Sequence, residues 1–264
     1  MPPLPAERVH AASAAWVWIP ALAPRAETEE FLVVRYPPWW EFRLQVVALQ
    51  PRRRLPEVLD DLLADARGLA DGDVAQVLCP VPLGAPEGLE EELVARGGRL
   101  TETLDVLALD LAGHVPSALA PTAEVELRWS VDLAVFLDAA QLMTDVFGGS
   151  IPDREALEAE HPGEVAKVRD GGGGTVVAYL DGRPVGAAGL TVEGLDARLW
   201  SGAVVPAARG RGFYRALLAA RLQYAQDAGA EIAIVKGRVE TSGPILRRAG
   251  FTAYGQERSY LLDL

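Results

Sequence analysis

The stretch that most constrains this chain runs Val204-Val205-Pro206-Ala207-Ala208-Arg209-Gly210-Arg211-Gly212-Phe213-Tyr214-Arg215-Ala216-Leu217. It reads as the end of a strand, a basic loop bearing two glycines, and the start of a helix. Such a junction aims several free backbone N–H groups and the positive end of a helix dipole at one point. That point is a site for phosphate or pyrophosphate. Gly210 and Gly212 let the backbone approach a ligand with no side chain in the way. Arg209 and Arg211 add charge and bidentate donors. The spacing excludes two common phosphate loops: G-x-G-x-x-G fails because Arg215 stands where the third glycine belongs, and G-x-x-x-x-G-K-[ST] is absent.

The residues around this loop supply a series of elements. Val125 to Trp129 alternates as a strand. Ser130 is placed to cap a helix in which Phe136, Ala139, Ala140, Met143 and Phe147 share one face, ended by Gly148-Gly149. Asp153 to Asp170 is a more polar helical region, interrupted at Pro162-Gly163. Gly171 to Gly174 reads as a loop. Thr175–Leu180 and Pro184–Thr191 form a hairpin through the turn pair Asp181-Gly182. A strand from Ala197 to Val205 enters the glycine loop. The following helix buries Phe213, Ala216, Leu217, Ala220 and Tyr224, and Gly229 ends it. A short strand, Glu231–Val235, a short helix, Ser242–Ala249, and a last strand, about Thr252 to Asp263, complete the order β-α-α-β-β-β-α-β-α-β.

Arg209 to Tyr214 resembles the [QR]-x-x-G-x-[GA] loop of the GNAT N-acetyltransferase superfamily, and Val204-x-Pro206 matches the V-x-P that precedes it there. Leu246-Arg247-Arg248-Ala249-Gly250-Phe251 resembles the family's late motif, a short helix ending in x-G-F. These motifs and the hairpin occur in the family's order over residues 124–264. The resemblance implies an α/β (α+β) fold with a mixed central sheet flanked by helices. It also implies acetyl-CoA as co-substrate and transfer of an acetyl group to a primary amine by direct attack. Ala203, Val204, Arg209, Gly210, Arg211, Gly212, Phe213 and Tyr214 then bind the cofactor, with Ala203 and Val204 nearest the thioester.

The sequence departs from that pattern at three places. Tyr214 stands where the family has Gly or Ala, so its phenol must point away from the pyrophosphate. Leu246 replaces the tyrosine that usually protonates the leaving thiolate, and Val239 replaces an asparagine. Tyr214, Tyr254 or water remain as proton donors. Acetyl transfer needs little covalent help: the amine loses a proton, the thiolate gains one, and positioning with a polarised carbonyl contributes the rest. Asp196 shares strand parity with Val204 and is the candidate base; Arg198 cannot be one. Trp200 reads as packing or acceptor wall. Leu246 and Val239 also admit a second reading, a non-catalytic acyl-CoA-binding sensor or structural module.

Residues 1–111 form a second copy of the same order. Gly97 and Gly250 are 153 residues apart, as are the endings Leu109-Asp110-Leu111 and Leu262-Asp263-Leu264. Upstream lie a strand at Phe42–Val46 and a helix at Pro56–Gly68 with Val58, Leu59, Leu62, Leu63 and Ala66 on one face. A strand at Val74–Cys79 and a helix at Glu87–Arg96 follow. The expectation is a tandem of GNAT-like domains, 1–111 and 122–264, joined by a linker at 112–121. In the first copy the loop is Gln50-Pro51-Arg52-Arg53-Arg54-Leu55-Pro56, without glycine and with two prolines that donate no N–H. This half is expected to bind no coenzyme A. Tyr36-Pro37-Pro38-Trp39-Trp40 reads as core packing or as lining for an acceptor cleft.

At 264 residues the chain can hold two domains. A net charge of −12 disfavours nucleic acid. No apolar run spans a membrane, and MPPLPAERVH has no signal-peptide pattern. Cys79 sits in an apolar run as an inert thiol, and three scattered histidines give no triad or metal-ligand spacing. These features favour the cytoplasm, and the Ala- and Arg-rich composition suggests a bacterial source.

Overall fold

The computed structural model describes residues 4–70, 72, 74–112 and 125–264. The expected linker therefore lies, from 113 onward, outside the described residues, as does His114. Helix α1 (Ala6–Ala14) precedes strands β1 (Arg25–Glu27), β2 (Phe31–Arg35) and β3 (Leu44–Leu49). Then come α2 (Leu55–Leu69), β4 (Gln76–Val81), α3 (Leu89–Ala95) and β5 (Arg99–Asp110). The second half runs β6 (Glu126–Trp129), α4 (Leu133–Phe147), α5 (Arg154–Arg169), β7 (Gly173–Leu180), β8 (Arg183–Glu193) and β9 (Asp196–Val204). A 3-10 turn (Pro206–Ala208) leads to α6 (Phe213–Asp227), β10 (Ile232–Arg238), α7 (Ser242–Arg248) and β11 (Thr252–Asp263).

The fold is the expected mixed sheet flanked by helices, in two similar copies. α3 and β5 begin and end 153 residues before α7 and β11. Two parallel pairs, β3–β4 and β9–β10, stand at matching places. The two sheets are fused, however, into one of eleven strands in the order β1-β2-β3-β4-β11-β5-β10-β9-β8-β7-β6. Each copy sends its last strand into the other: β5 pairs with β10, β11 pairs with β4, and β5 and β11 pair antiparallel.

Apolar periodicity explains the layers. In α2 all five residues of the expected face are buried, against Phe31, Val33, Leu44, Val77 and Leu262. Each valine or leucine among them contributes about 1.5–3 kcal/mol when fully buried. Cys79 lies in this core, where burial pushes its thiol up to about 12, so it is inert. α6 and α7 cover one face of the second half through Leu218, Leu222, Ala225 and Leu246. On the other face Val9 and Ala12 of α1 pack on Val106, Ala108, Ile232 and Ile234, so the first helix roofs β5 and β10.

Several local expectations are corrected. The buried stripe of α4 is Val135, Ala139 and Leu142, while Phe147 is exposed. Ser130 caps no helix; its hydroxyl donates to Glu164 and accepts from Thr175 N–H. Pro162 does not interrupt α5, which is continuous across it and capped by Asp153. Gly173 and Gly174 belong to β7, where an added Cβ at Gly173 would lie 2.3 Å from the Leu190 carbonyl. The Asp181-Gly182 turn forms as read, both residues at positive φ.

Candidate functional site

The parallel register of β9 and β10 begins at Asp196↔Ile232 and ends at Leu199↔Val235. Beyond it β9 stays on β8 as far as Val204, and β10 stays on β5 as far as Arg238. The strands therefore part at Trp200 and Lys236 and leave a gap between two hydrogen-bonding edges. A bulge marks the parting: the β8–β9 register shifts between Ala187 and Gly189, and Ser201 has φ 47°. The Trp200 ring lies over Gly189, where a Cβ would come within 2.3 Å of it, and its N–H donates to Thr191.

Arg221, only 2% exposed, fastens the bulge from α6. Its guanidinium donates to the Gly189 carbonyl at 3.1 Å, the Trp200 carbonyl at 3.5 Å and the Leu217 carbonyl at 3.3 Å. Burial lowers the Arg221 pKa and raises that of Tyr214, the phenol that faces it. The Tyr214 ring sits 3.1 Å from the place of a Cβ at Gly202. The phenol thus turns beneath β9, as the bulk at that position requires.

The 3-10 turn carries the chain from β9 into the glycine loop. Arg209 Nε donates to the Val204 carbonyl at 3.1 Å and pins the loop to the strand end. Gly210 and Gly212 have φ 75° and 88°, conformations that a residue with a Cβ adopts at a cost. Gly212 is the N-cap of α6, whose first N–H groups have no intrahelical acceptor. Arg211 extends over the Phe213 ring, 5.7 Å from its centroid. Arg209 to Tyr214 thus come together at one end of the gap. Val205 N–H bonds to Val185 on β8, so strand alternation turns the Val204 N–H the other way, into the gap. The same alternation puts the Ala203 N–H on the β8 side, with its side chain packed under α4.

Asp196 is not brought to this place. It stands at the opposite end of β9, four residues or about 13 Å below the parting at ~3.3 Å per residue, in an ion pair with Arg8 of α1. Leu246 is fully buried, its Cδ1 2.9 Å from the place of a Cβ at Gly237. Tyr254 lies on β11, its carbonyl bonded to His10. The sequence reading missed a group at the parting itself. Lys236 Nζ is 2.8 Å from Glu257 and 5.6 Å from the Trp16 ring, and Ser13 donates to the same carboxylate at 2.8 Å. The one signal was its rarity, since Lys167 and Lys236 are the only lysines.

The matching loop of the first half is filled from within. Glu30 accepts from the Arg52 and Arg53 N–H groups at 2.7 and 2.9 Å and from the Arg53 side chain at 2.6 Å. These bonds hold its carboxyl below the usual range. Tyr36, Trp39 and Trp40 cluster with Trp18, and the Trp39 carbonyl approaches Gly149 beyond α4. A cavity of about 260 Å³ also lies in this half, and one of about 350 Å³ lies between it and the end of β11, both away from the gap. Among the described residues no group of three or more His, Cys, Asp or Glu is arranged to hold a metal, and no helix is long and apolar enough to cross a membrane.

A glycine-capped helix start thus stands beside a parted parallel strand pair. Residues 138–248 match the model of the acetyltransferase (GNAT) family. The second half carries a GNAT domain, and the first half is GNAT-like in structure. A GCN5-related N-acetyltransferase from Kribbella flavida superposes with TM-score 0.68 at 18% identity, over 97% of this chain and 94% of that one. A tandem GNAT protein from the clavulanic acid biosynthesis pathway gives 0.61 at 16%, over 99% and 88%. A functionally unknown conserved protein from Staphylococcus epidermidis gives 0.63 at 11%, over 95% and 98%. At these identities the likeness is one of fold. No curated protein matches in sequence.

Proposed function

We propose that the protein is an acetyl-CoA-dependent N-acetyltransferase that moves the acetyl group to a primary amine by direct attack. The observation that carries this reading is the glycine-capped start of α6 placed at the mouth of the β9–β10 gap. The cradle suits a pyrophosphate: Gly210 and Gly212 keep it open, an added Cβ at Gly210 meets nothing within 4 Å, and Arg211 stands exposed beside it. The loop residues Arg209 to Tyr214 hold the cofactor, with Arg209 and Tyr214 acting through the loop's shape. The Val204 N–H serves the thioester carbonyl, and Ala203 closes the wall beside it. Asp196, held by Arg8, is left out of the catalytic set. The first half takes no cofactor, because Glu30 already serves as the anion of its loop. The burial of Leu246 also suits the second reading, an acyl-CoA sensor without turnover.

Calorimetry with acetyl-CoA tests the site. The wild type is expected to bind one equivalent per chain, and Gly212→Glu to bind none. Glutamate at that φ costs about 1–2 kcal/mol of strain, so the variant still melts cooperatively. Gly212→Ala carries the strain without the charge and keeps measurable affinity. Unchanged affinity in Gly212→Glu would sink the proposed site, and binding without thioester turnover across amines would favour the sensor.

A further inference from the structure

The first half sends an aromatic cluster to the mouth of the gap. Trp18, which follows α1, stands 5.1 Å from the Trp40 ring and 6.0 Å from that of Trp39. Tyr36 stacks on Trp40 at 5.4 Å and 20°. Tyr36 is buried, Trp39 and Trp40 are half-buried and Trp18 is 47% exposed, so the cluster is core at its base and open on its outer faces. The two halves meet there, because the Trp39 carbonyl is 3.1 Å from the place of a Cβ at Gly149, between α4 and α5. α4 packs on the β9 side of the gap, and the first half joins the β10 side through β5. The contact therefore bridges the gap. Val146 of α4 packs in the cluster of Ala203 and Val205, the neighbours of Val204. The three residues from Val146 to Gly149 span at most ~11 Å, so the aromatic loop meets α4 close to the Val204 N–H. Alternation along β7 and β8 puts α4 on the face opposite α6, and α1 shares that face.

We propose that these rings bind the acceptor, and that the acceptor is an arylalkylamine, a primary amine on a short arm carried by a flat apolar ring. This rests on the N-acetyltransferase reading above. With centroids 5.1–6.0 Å apart the rings touch one another. No room is left between them for an ammonium, as an aromatic cage around an aliphatic cation requires. They offer outer faces instead, on which a flat ring stacks with a gain beyond the area it covers. Trp16 is already engaged, its ring 5.6 Å from Lys236 Nζ. Phe147 and Ile151, on either side of Gly149, are 44% and 38% exposed and give the second half's rim of the cleft. With the ring held there, the arm carries the nitrogen toward the thioester. The nitrogen forms the C–N bond and the C–S bond breaks with its pair going to sulfur. Of the two protons the ammonium sheds, one ends on sulfur and the other goes to solvent. The first half thus selects the acceptor, and the second holds the cofactor.

The test binds amines to the full chain loaded with coenzyme A, where no turnover occurs. By calorimetry tryptamine is expected to bind one equivalent per chain, at least ~10-fold tighter than butylamine, which has the amine and no ring. Trp18→Leu and Trp39→Leu keep apolar bulk and lose the ring. Each is expected to weaken tryptamine about 5–10-fold, with butylamine and coenzyme A affinities unchanged. The Tyr36 hydroxyl donates to the Trp18 carbonyl, not to its ring, so that bond survives the substitution. With acetyl-CoA, the tryptamine KM rises by the same factor in the variants while kcat with butylamine stays the same. Equal binding of the two amines to the wild type, or tryptamine affinity unchanged in both variants, overturns the acceptor class and leaves the cofactor site standing. A chain that acetylates butylamine but not bound tryptamine overturns it as well. A wild-type dimer that Trp18→Leu converts to a monomer shows that a second copy covers the rings, which also overturns it. Coenzyme A that does not bind the wild type overturns the cofactor site and this proposal with it.

Discussion

Arg221 shows how one residue can set a site without touching a ligand. Its guanidinium satisfies carbonyls on two strands at the bulge, and the bulge is where β9 leaves β10. Replacing it with methionine keeps the volume and removes the donors. Buried carbonyls without partners cost about 1–3 kcal/mol each, so Arg221→Met is expected to lose about 2–4 kcal/mol in chemical denaturation. Acetyl-CoA affinity should fall with it, because the Val204 N–H is aimed by the same strand segment. A variant equally stable and equally tight in binding would show that the backbone holds the bulge unaided. Nothing in the sequence marked Arg221 as buried, since an arginine on a helix is ordinarily a surface residue. Lys236 was hidden for a related reason: Ser13, Trp16 and Glu257 meet it only because distant segments fold together.

Where stability and order are local, the elements were legible. α2, α7, β11 and the Asp181-Gly182 hairpin follow from periodicity and turn chemistry within a few residues. The glycine loop was legible too, because its function requires particular residues at fixed spacing. α1 was not: Ala6–Ala14 is short and carries little apolar signal, and its place depends on Val106, Ala108, Ile232 and Ile234. α5 is the opposite case, a helix that continues through a residue that should stop it. Pro162 is exposed and gives up the hydrogen bond to Glu158. Mid-helix proline costs about 3 kcal/mol relative to alanine, less the ~0.4–1 kcal/mol by which it stiffens the unfolded chain. Pro162→Ala is expected to stabilise the protein by about 1–3 kcal/mol and to raise the thermal midpoint by several degrees, with Ser130–Glu164 unchanged. A lower midpoint would show that a bend at Pro162 seats α5 on β7.

At the scale of the whole molecule, the exchange of β5 and β11 is what no single segment could reveal. Each strand was correctly placed along the sequence, at matching ends of the two copies, yet its partners lie in the other copy. The gap at the candidate site consequently has one wall from each history: β9 is flanked by β8 of its own half, while β10 is flanked by β5 of the first. The N-terminal half therefore supports the site through the sheet as well as through α1. A chain of residues 125–264 alone has no β5 for β10, and β11 has neither β4 nor β5. Ile232 and Ile234 lose the cover of α1 as well. Unpaired edges with apolar faces associate. This fragment is expected to sediment as dimers or larger species without a cooperative monomeric melt. Co-expression with residues 1–112 should recover a one-to-one complex that binds acetyl-CoA at close to the affinity of the intact chain. A monomeric, cooperatively melting fragment that binds acetyl-CoA by itself would show that the second half carries its own complete fold, and that the exchanged strands join the two copies without being needed by either.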